Sequence, residues 1–118
     1  MGKMRKNTFH EYVMGDLLHD MPGITSRAMF GGWGLYRQGV IFGIIADGEL
    51  FFKVDDQSRP EYEKRGSGPF VYEARGKKRA AKTYWQVPAE IMDDRESLKE
   101  WIDTSCRTAR SSLKKRTG

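Results

Sequence analysis

The feature that most constrains this chain is an apolar run, Val40-Ile41-Phe42-Gly43-Ile44-Ile45-Ala46, held between two turn signals, Gln38-Gly39 and Asp47-Gly48. Tight hairpin turns need positive φ at their central positions, which glycine adopts without steric cost. The run is strand length, so its sequence neighbours are read as antiparallel strands beside it. One neighbour is Glu49 to Val54. The other runs from Thr25 through Tyr36, where Gly31-Gly32 interrupts an aromatic pattern and predicts a bulge or sharp bend around the sheet edge. The three form a meander whose middle strand is the most apolar and the most buried.

Helical signals flank this meander. Phe9, Tyr12, Val13, Leu17 and Met21 form an apolar stripe, with Thr8 and Glu11 spaced as a capping box and Pro22-Gly23 as a stop; a helix is expected over Thr8 to Asp20. Pro60 near a first helical position and Gly66 past the end predict a short helix over Arg59 to Arg65. Phe70 to Glu73 reads as a fourth strand. The segment Arg75-Gly76-Lys77-Lys78-Arg79 reads as a basic turn into a fifth strand, Lys82 to Val87, ended by Pro88. A last helix opens near Asp93 or Asp94, and Leu98, Trp101, Ile102, Ser105, Ala109 and Leu113 trace its apolar face. The expected fold is α+β: two layers, with helices on one face of a five-stranded antiparallel sheet in the order α-β3-α-β2-α. At 118 residues, residues 1–118 have room for one core and one domain.

The 21 Lys and Arg against 16 Asp and Glu leave a net charge of +5, which favours anionic partners. Cys106 is the only cysteine, so no intrachain disulfide or cysteine zinc site can form, and a reducing compartment is expected. Charged residues break every apolar run before membrane-spanning length, and no apolar stretch follows the basic start as in an export signal. A cytoplasmic location is expected.

The run Arg27-Ala28-Met29-Phe30-Gly31-Gly32-Trp33-Gly34-Leu35-Tyr36, then Gly39-Val40-Ile41-Phe42 and Asp47-Gly48-Glu49-Leu50-Phe51-Phe52-Lys53-Val54, resembles the N-terminal domain of the TfoX (Sxy) competence-regulator family. Gly66-Ser67 before Pro69-Phe70, the strand end Tyr84-Trp85-Gln86-Val87-Pro88, and Leu98 with Trp101 agree, so the resemblance covers about Phe9 to Ala109. It implies a stand-alone form of that domain with a secretion-chaperone-like two-layer fold. It also implies a bacterial cytoplasmic protein connected with transcriptional regulation of competence genes through a protein partner such as the cAMP receptor protein. On this reading Arg27, Met29, Phe30, Gly31, Gly32 and Trp33 are the candidate partner surface.

The residues themselves point away from catalysis. A dinucleotide fingerprint needs a third glycine where this chain has Arg37, so Gly31-Gly32-Trp33-Gly34 is read as a structural bend. His10 and His19 turn apart on their helix, Cys106 lies beside an apolar stripe, and Asp55-Asp56 and Asp93-Asp94 end a strand and cap a helix. No catalytic residue, cofactor or metal is expected. Arg27 is read as pairing with a helix-borne carboxylate such as Asp16, or as offered to a partner.

The leading expectation is therefore a non-enzymatic, protein-binding module. The alternative is direct DNA binding by Arg75, Lys77, Lys78, Arg79 and Lys82, five cations that would neutralise phosphates together at a hairpin tip. Tyr84 and Trp85 adjoin them for base stacking, although alternation sends one of the two into the core. Phe51 and Phe52 fall on opposite faces, which leaves aromatic surface outside the helix layer and makes a homodimer a further expectation.

Overall fold

The computed structural model describes residues 6–29 and 31–117. Phe30 of the candidate partner surface and the basic start Met1 to Arg5 lie outside the described residues, as do the side chains of Lys114, Lys115 and Arg116. The order is α1 (Lys6–Tyr12), continued by a π-helical turn (Val13–Leu17), then β1 (Ile24–Met29), β2 (Gly32–Arg37), β3 (Val40–Ala46), β4 (Glu49–Lys53), α2 (Arg59–Lys64), β5 (Pro69–Ala74), β6 (Lys77–Gln86), α3 (Ala89–Met92) and α4 (Arg95–Thr117). The strands form one antiparallel six-stranded sheet in the order β1-β2-β3-β4-β6-β5.

The expected five-stranded sheet and the order α-β3-α-β2-α are both corrected: four strands precede α2, α3 precedes α4, and the extra strand arises at Gly31-Gly32. Met29 pairs with Gly32, so the chain reverses between them rather than bulging. Gly31 has φ +79°, a conformation that L side chains rarely adopt, and this makes the reversal cheap. Three further turns follow the expected chemistry, with positive φ at both residues of Gln38-Gly39, Asp47-Gly48 and Arg75-Gly76. The bulge falls instead in β3: Leu35 pairs with Gly43 and Tyr36 with Ile41, leaving Phe42 as the extra residue. That extra residue carries the Phe42 ring into the core beside Phe52, ring centres 5.8 Å apart.

The first helix also differs from expectation. Thr8 lies inside α1 rather than capping it, and the helix ends at Leu17, where the Leu18 amide donates to the Val13 carbonyl at 2.9 Å across a π-turn. The widened turn brings Val13, Leu17 and Leu18 into the core together. On α4, Leu98, Ile102, Ser105, Cys106 and Ala109 are buried, while Leu113 lies beyond the buried stretch and is half exposed. The Asp94 carbonyl accepts the Leu98 amide at 2.8 Å, placing the start of α4 where expected. Helix residues Val13, Leu17, Tyr62, Ile91, Leu98 and Ile102 join one core cluster with Leu35, Ile45, Leu50 and Phe52 of the sheet and with Val87 just past β6.

Candidate functional site

Strand alternation divides the sheet into two chemically different faces. The pairs Leu35 with Gly43, Gly43 with Phe52, and Phe52 with Trp85 mark the side covered by helices. The opposite side carries Arg27 and Met29 from β1, Gly34 and Tyr36 from β2, Ile44 from β3, Phe51 and Lys53 from β4, and Tyr84 from β6. Phe51 and Phe52 separate as expected: Phe52 is in the core, and Phe51 meets Phe70 on the far side at 4.9 Å between ring centres. Gly34 has a reason to be glycine there, because an added Cβ would lie 2.7 Å from Met29 Sδ and 3.1 Å from both Ile41 and Tyr36. Those three side chains close over the bare backbone.

On β6 the alternation is reset. Pro69 pairs with Trp85 but Phe70 pairs with Ala81, so Lys82, Thr83 and Tyr84 bulge out of the β5 ladder. Beyond the bulge, Arg79 opposite Tyr72 and Lys77 opposite Ala74 share the face of Phe70, and Lys78 opposite Glu73 is on the other. Arg75 is in the turn, and Lys82 lines a cleft on the helix side with Pro69, Thr83 and Trp85. All five cations are exposed, but they do not gather into one patch as expected, because alternation splits them between the faces. Tyr84 and Trp85 divide too: Trp85 packs on the core with its Nε1 donating to the Lys82 carbonyl at 3.0 Å, and Tyr84 takes the helix-free side.

The candidate partner surface is likewise divided. Trp33 faces the helices and stacks on His10, whereas Arg27 and Met29 point away from them. The expected pairing of Arg27 with Asp16 is overturned, since Arg27 is on the face opposite α1 and its guanidinium carbon lies 5.5 Å from the Tyr36 ring centre. Lys53 makes the same kind of contact with Tyr84 at 5.4 Å, and Phe70 stacks with Tyr72 at 5.8 Å. Burial, and then the Tyr36 phenol on the same face, push the Tyr84 pKa up. Among the described residues, Glu49 is the one carboxylate at a strand position of this face. The result is an aromatic floor with a cationic rim.

Of the reactive side chains, His10 and Cys106 take part in packing and His19 is exposed. His10 Nε2 is 2.8 Å from Ser26 Oγ, and the His19 ring meets the Asp16 carbonyl at 3.2 Å. Cys106 is buried, and its neighbour Arg37 bonds Asp103 at 2.8 Å; sequence spacing held no signal for this Arg37-Asp103 contact. Two adjoining clefts of about 480 and 710 Å³ share Asp55, Thr108 and Ser111, and neither includes Arg27. The Asp55 carboxylate resists burial and still sits below its ordinary pKa, because the Ser58 and Gln57 amides donate to it. Among the described residues no group of three or more His, Cys, Asp or Glu is placed to hold a metal, and no helix is long and apolar enough to cross a membrane.

No curated protein matches this chain. A family model described as the TfoX N-terminal domain matches residues 16–109, from the end of the first helix to the last buried position of α4. The match spans the three hairpins of the β1 to β4 meander and the two split surfaces, and the chain belongs to the TfoX N-terminal domain family.

Proposed function

We propose that this chain is a non-enzymatic module of transcriptional regulation that acts by binding a protein partner along β1. The observation that carries the reading is the position of β1, which ends the sheet with a neighbour on one side only and has Thr25, Arg27 and Ala28 exposed. An edge strand offers unpaired backbone groups to an incoming chain, and Arg27 adds a planar donor fork for an acidic side chain. Arg27, Ala28 and Met29, which open the run that carries the family resemblance, lie on this strand. The regulated genes are those of competence, and the partner is of the cAMP receptor protein class. The test is co-purification with the cAMP receptor protein from nuclease-treated extract, combined with a competence-promoter reporter. The reading expects capture and induction by the native chain and loss of both in Arg27→Glu. Equal induction by the variant, or none by the native chain, overturns it.

A second reading, direct duplex DNA binding by the β5–β6 hairpin, is favoured by the cations standing on both faces of that ribbon. A two-stranded ribbon fits the major groove, where cations on each side meet phosphates of the two walls. Replacing Lys77, Lys78 and Arg79 by Ala removes a salt-sensitive duplex gel shift if the hairpin binds DNA, and leaves it unchanged otherwise.

A further inference from the structure

We infer that the helix-free face of the sheet is a binding platform for single-stranded nucleic acid. The face joins two things such a ligand needs: planar rings for unpaired bases and cations for its phosphates. Tyr36 on β2, Tyr84 on β6, and Phe70 with Tyr72 on β5 place rings on this face, Tyr72 exposed and the other three half-buried, and buried Phe51 holds Phe70 from below. Tyr36 and Tyr72 are four strand spacings apart, about 19 Å, room for several nucleotides laid across the strands.

Charge decides between candidate occupants. Arg27, Lys53, Lys77 and Arg79 lie at strand positions of this face, and Glu49 is the single acid among the described strand positions there. That imbalance repels a second copy of the same face and attracts a polyanion. An acidic peptide would answer the cations but leave the rings without planar partners. A duplex would answer the cations too, yet its bases are already stacked and closed to the rings. Single-stranded DNA or RNA uses both. Two of the cations already lie over rings, Arg27 over Tyr36 and Lys53 over Tyr84, so a nucleotide that displaces either cation from its ring finds a phosphate partner at the same place.

This inference goes beyond the protein-partner reading and does not depend on it, because it uses the face rather than the edge of β1. It also differs from duplex binding by the hairpin, which needs cations on both sides. The whole chain is titrated with a fluorescent mixed-sequence 12-nucleotide single strand, and separately with the matching duplex, at two salt concentrations. The single strand is expected to bind more tightly than the duplex and to weaken with salt. Tyr72 is 41% exposed, so Tyr72→Ala leaves the core intact; it is expected to weaken single-strand binding about tenfold. Arg79→Ala should weaken binding and reduce the salt dependence, while Lys78→Ala, on the opposite face, should change it less than twofold. A circular dichroism melt confirms that each variant folds. The inference is overturned if the duplex binds as well as the single strand, if Tyr72→Ala binds like the native chain, if Lys78→Ala loses as much as Arg79→Ala, if a nonapeptide of Glu displaces the strand at equal charge concentration, if sedimentation shows a dimer broken by Tyr72→Ala, or if no strand binds.

Discussion

The imidazole of His10 lies flat on the indole of Trp33, ring centres 3.6 Å apart and planes within 9° of parallel, while its Nε2 meets Ser26 Oγ at 2.8 Å. One side chain thereby ties α1 to both strands of the first hairpin. Burial pushes the His10 pKa below its ordinary 6.5 against the opposing pull of Glu11, so the folded chain prefers the neutral ring. The unfolded chain then binds the proton more readily, and stability present above about pH 6.5 is lost as pH falls through the folded value. Urea midpoints at pH 7.5 and 5.5 should drop more for the native chain than for His10→Gln. Equal drops contradict the assignment.

The same substitution should have opposite signs at two glycines. A Cβ on Gly32 would run into the Ile45 carbonyl oxygen, which is backbone and cannot swing aside, so Gly32→Ala should destabilise by about 1–3 kcal/mol. Gly15 is exposed within the π-helical turn with nothing in the way of a Cβ, and Gly15→Ala should stabilise by about 0.5–1 kcal/mol. Denaturant unfolding of the two variants reads both values.

Ser105 is almost fully buried on α4, where its Oγ donates to the Lys53 carbonyl at 2.9 Å. Replacing it by Ala removes the hydroxyl that joins α4 to β4, at a cost of about 1–3 kcal/mol. An unchanged unfolding midpoint for Ser105→Ala would show that the contact contributes nothing.

Cys106 is 3% exposed, and burial pushes its thiol pKa up more strongly than the Arg37 guanidinium pulls it down. A thiol reagent at pH 8 should therefore label the native chain far more slowly than the urea-unfolded chain, by at least ~100-fold, following the population of open forms. Rapid labelling of the folded chain would contradict the burial.

Particular residues show what was legible in advance. Gln38-Gly39 and Asp47-Gly48 named their own turns, since positive φ is a local demand that a dipeptide either meets or does not. Gly31-Gly32 carried the same chemistry but was read as a bend in a continuous strand, because local preference marks a break without saying whether the chain reverses there. Phe51 and Phe52 were sorted to opposite faces by alternation alone. The cations from Arg75 to Lys82 were legible as a charge cluster but not as a divided one, because Lys77 to Arg79 read as turn residues and lie in β6, where alternation sends Lys78 to the face opposite Lys77 and Arg79.

The turns at Gln38-Gly39 and Asp47-Gly48, the strands β3 and β4 between and beside them, and the two-sided character of each strand came from the sequence by itself, because they depend on backbone sterics and on a period of two. The tertiary structure alone decided that β6 rather than β5 lies against β4, that Arg37 finds Asp103, and that one face escapes the helices and gathers Tyr36, Tyr84 and Phe70. These are contacts between residues far apart in the chain. They are chosen by which packing buries the most apolar surface without stranding a polar group, a competition no short segment records.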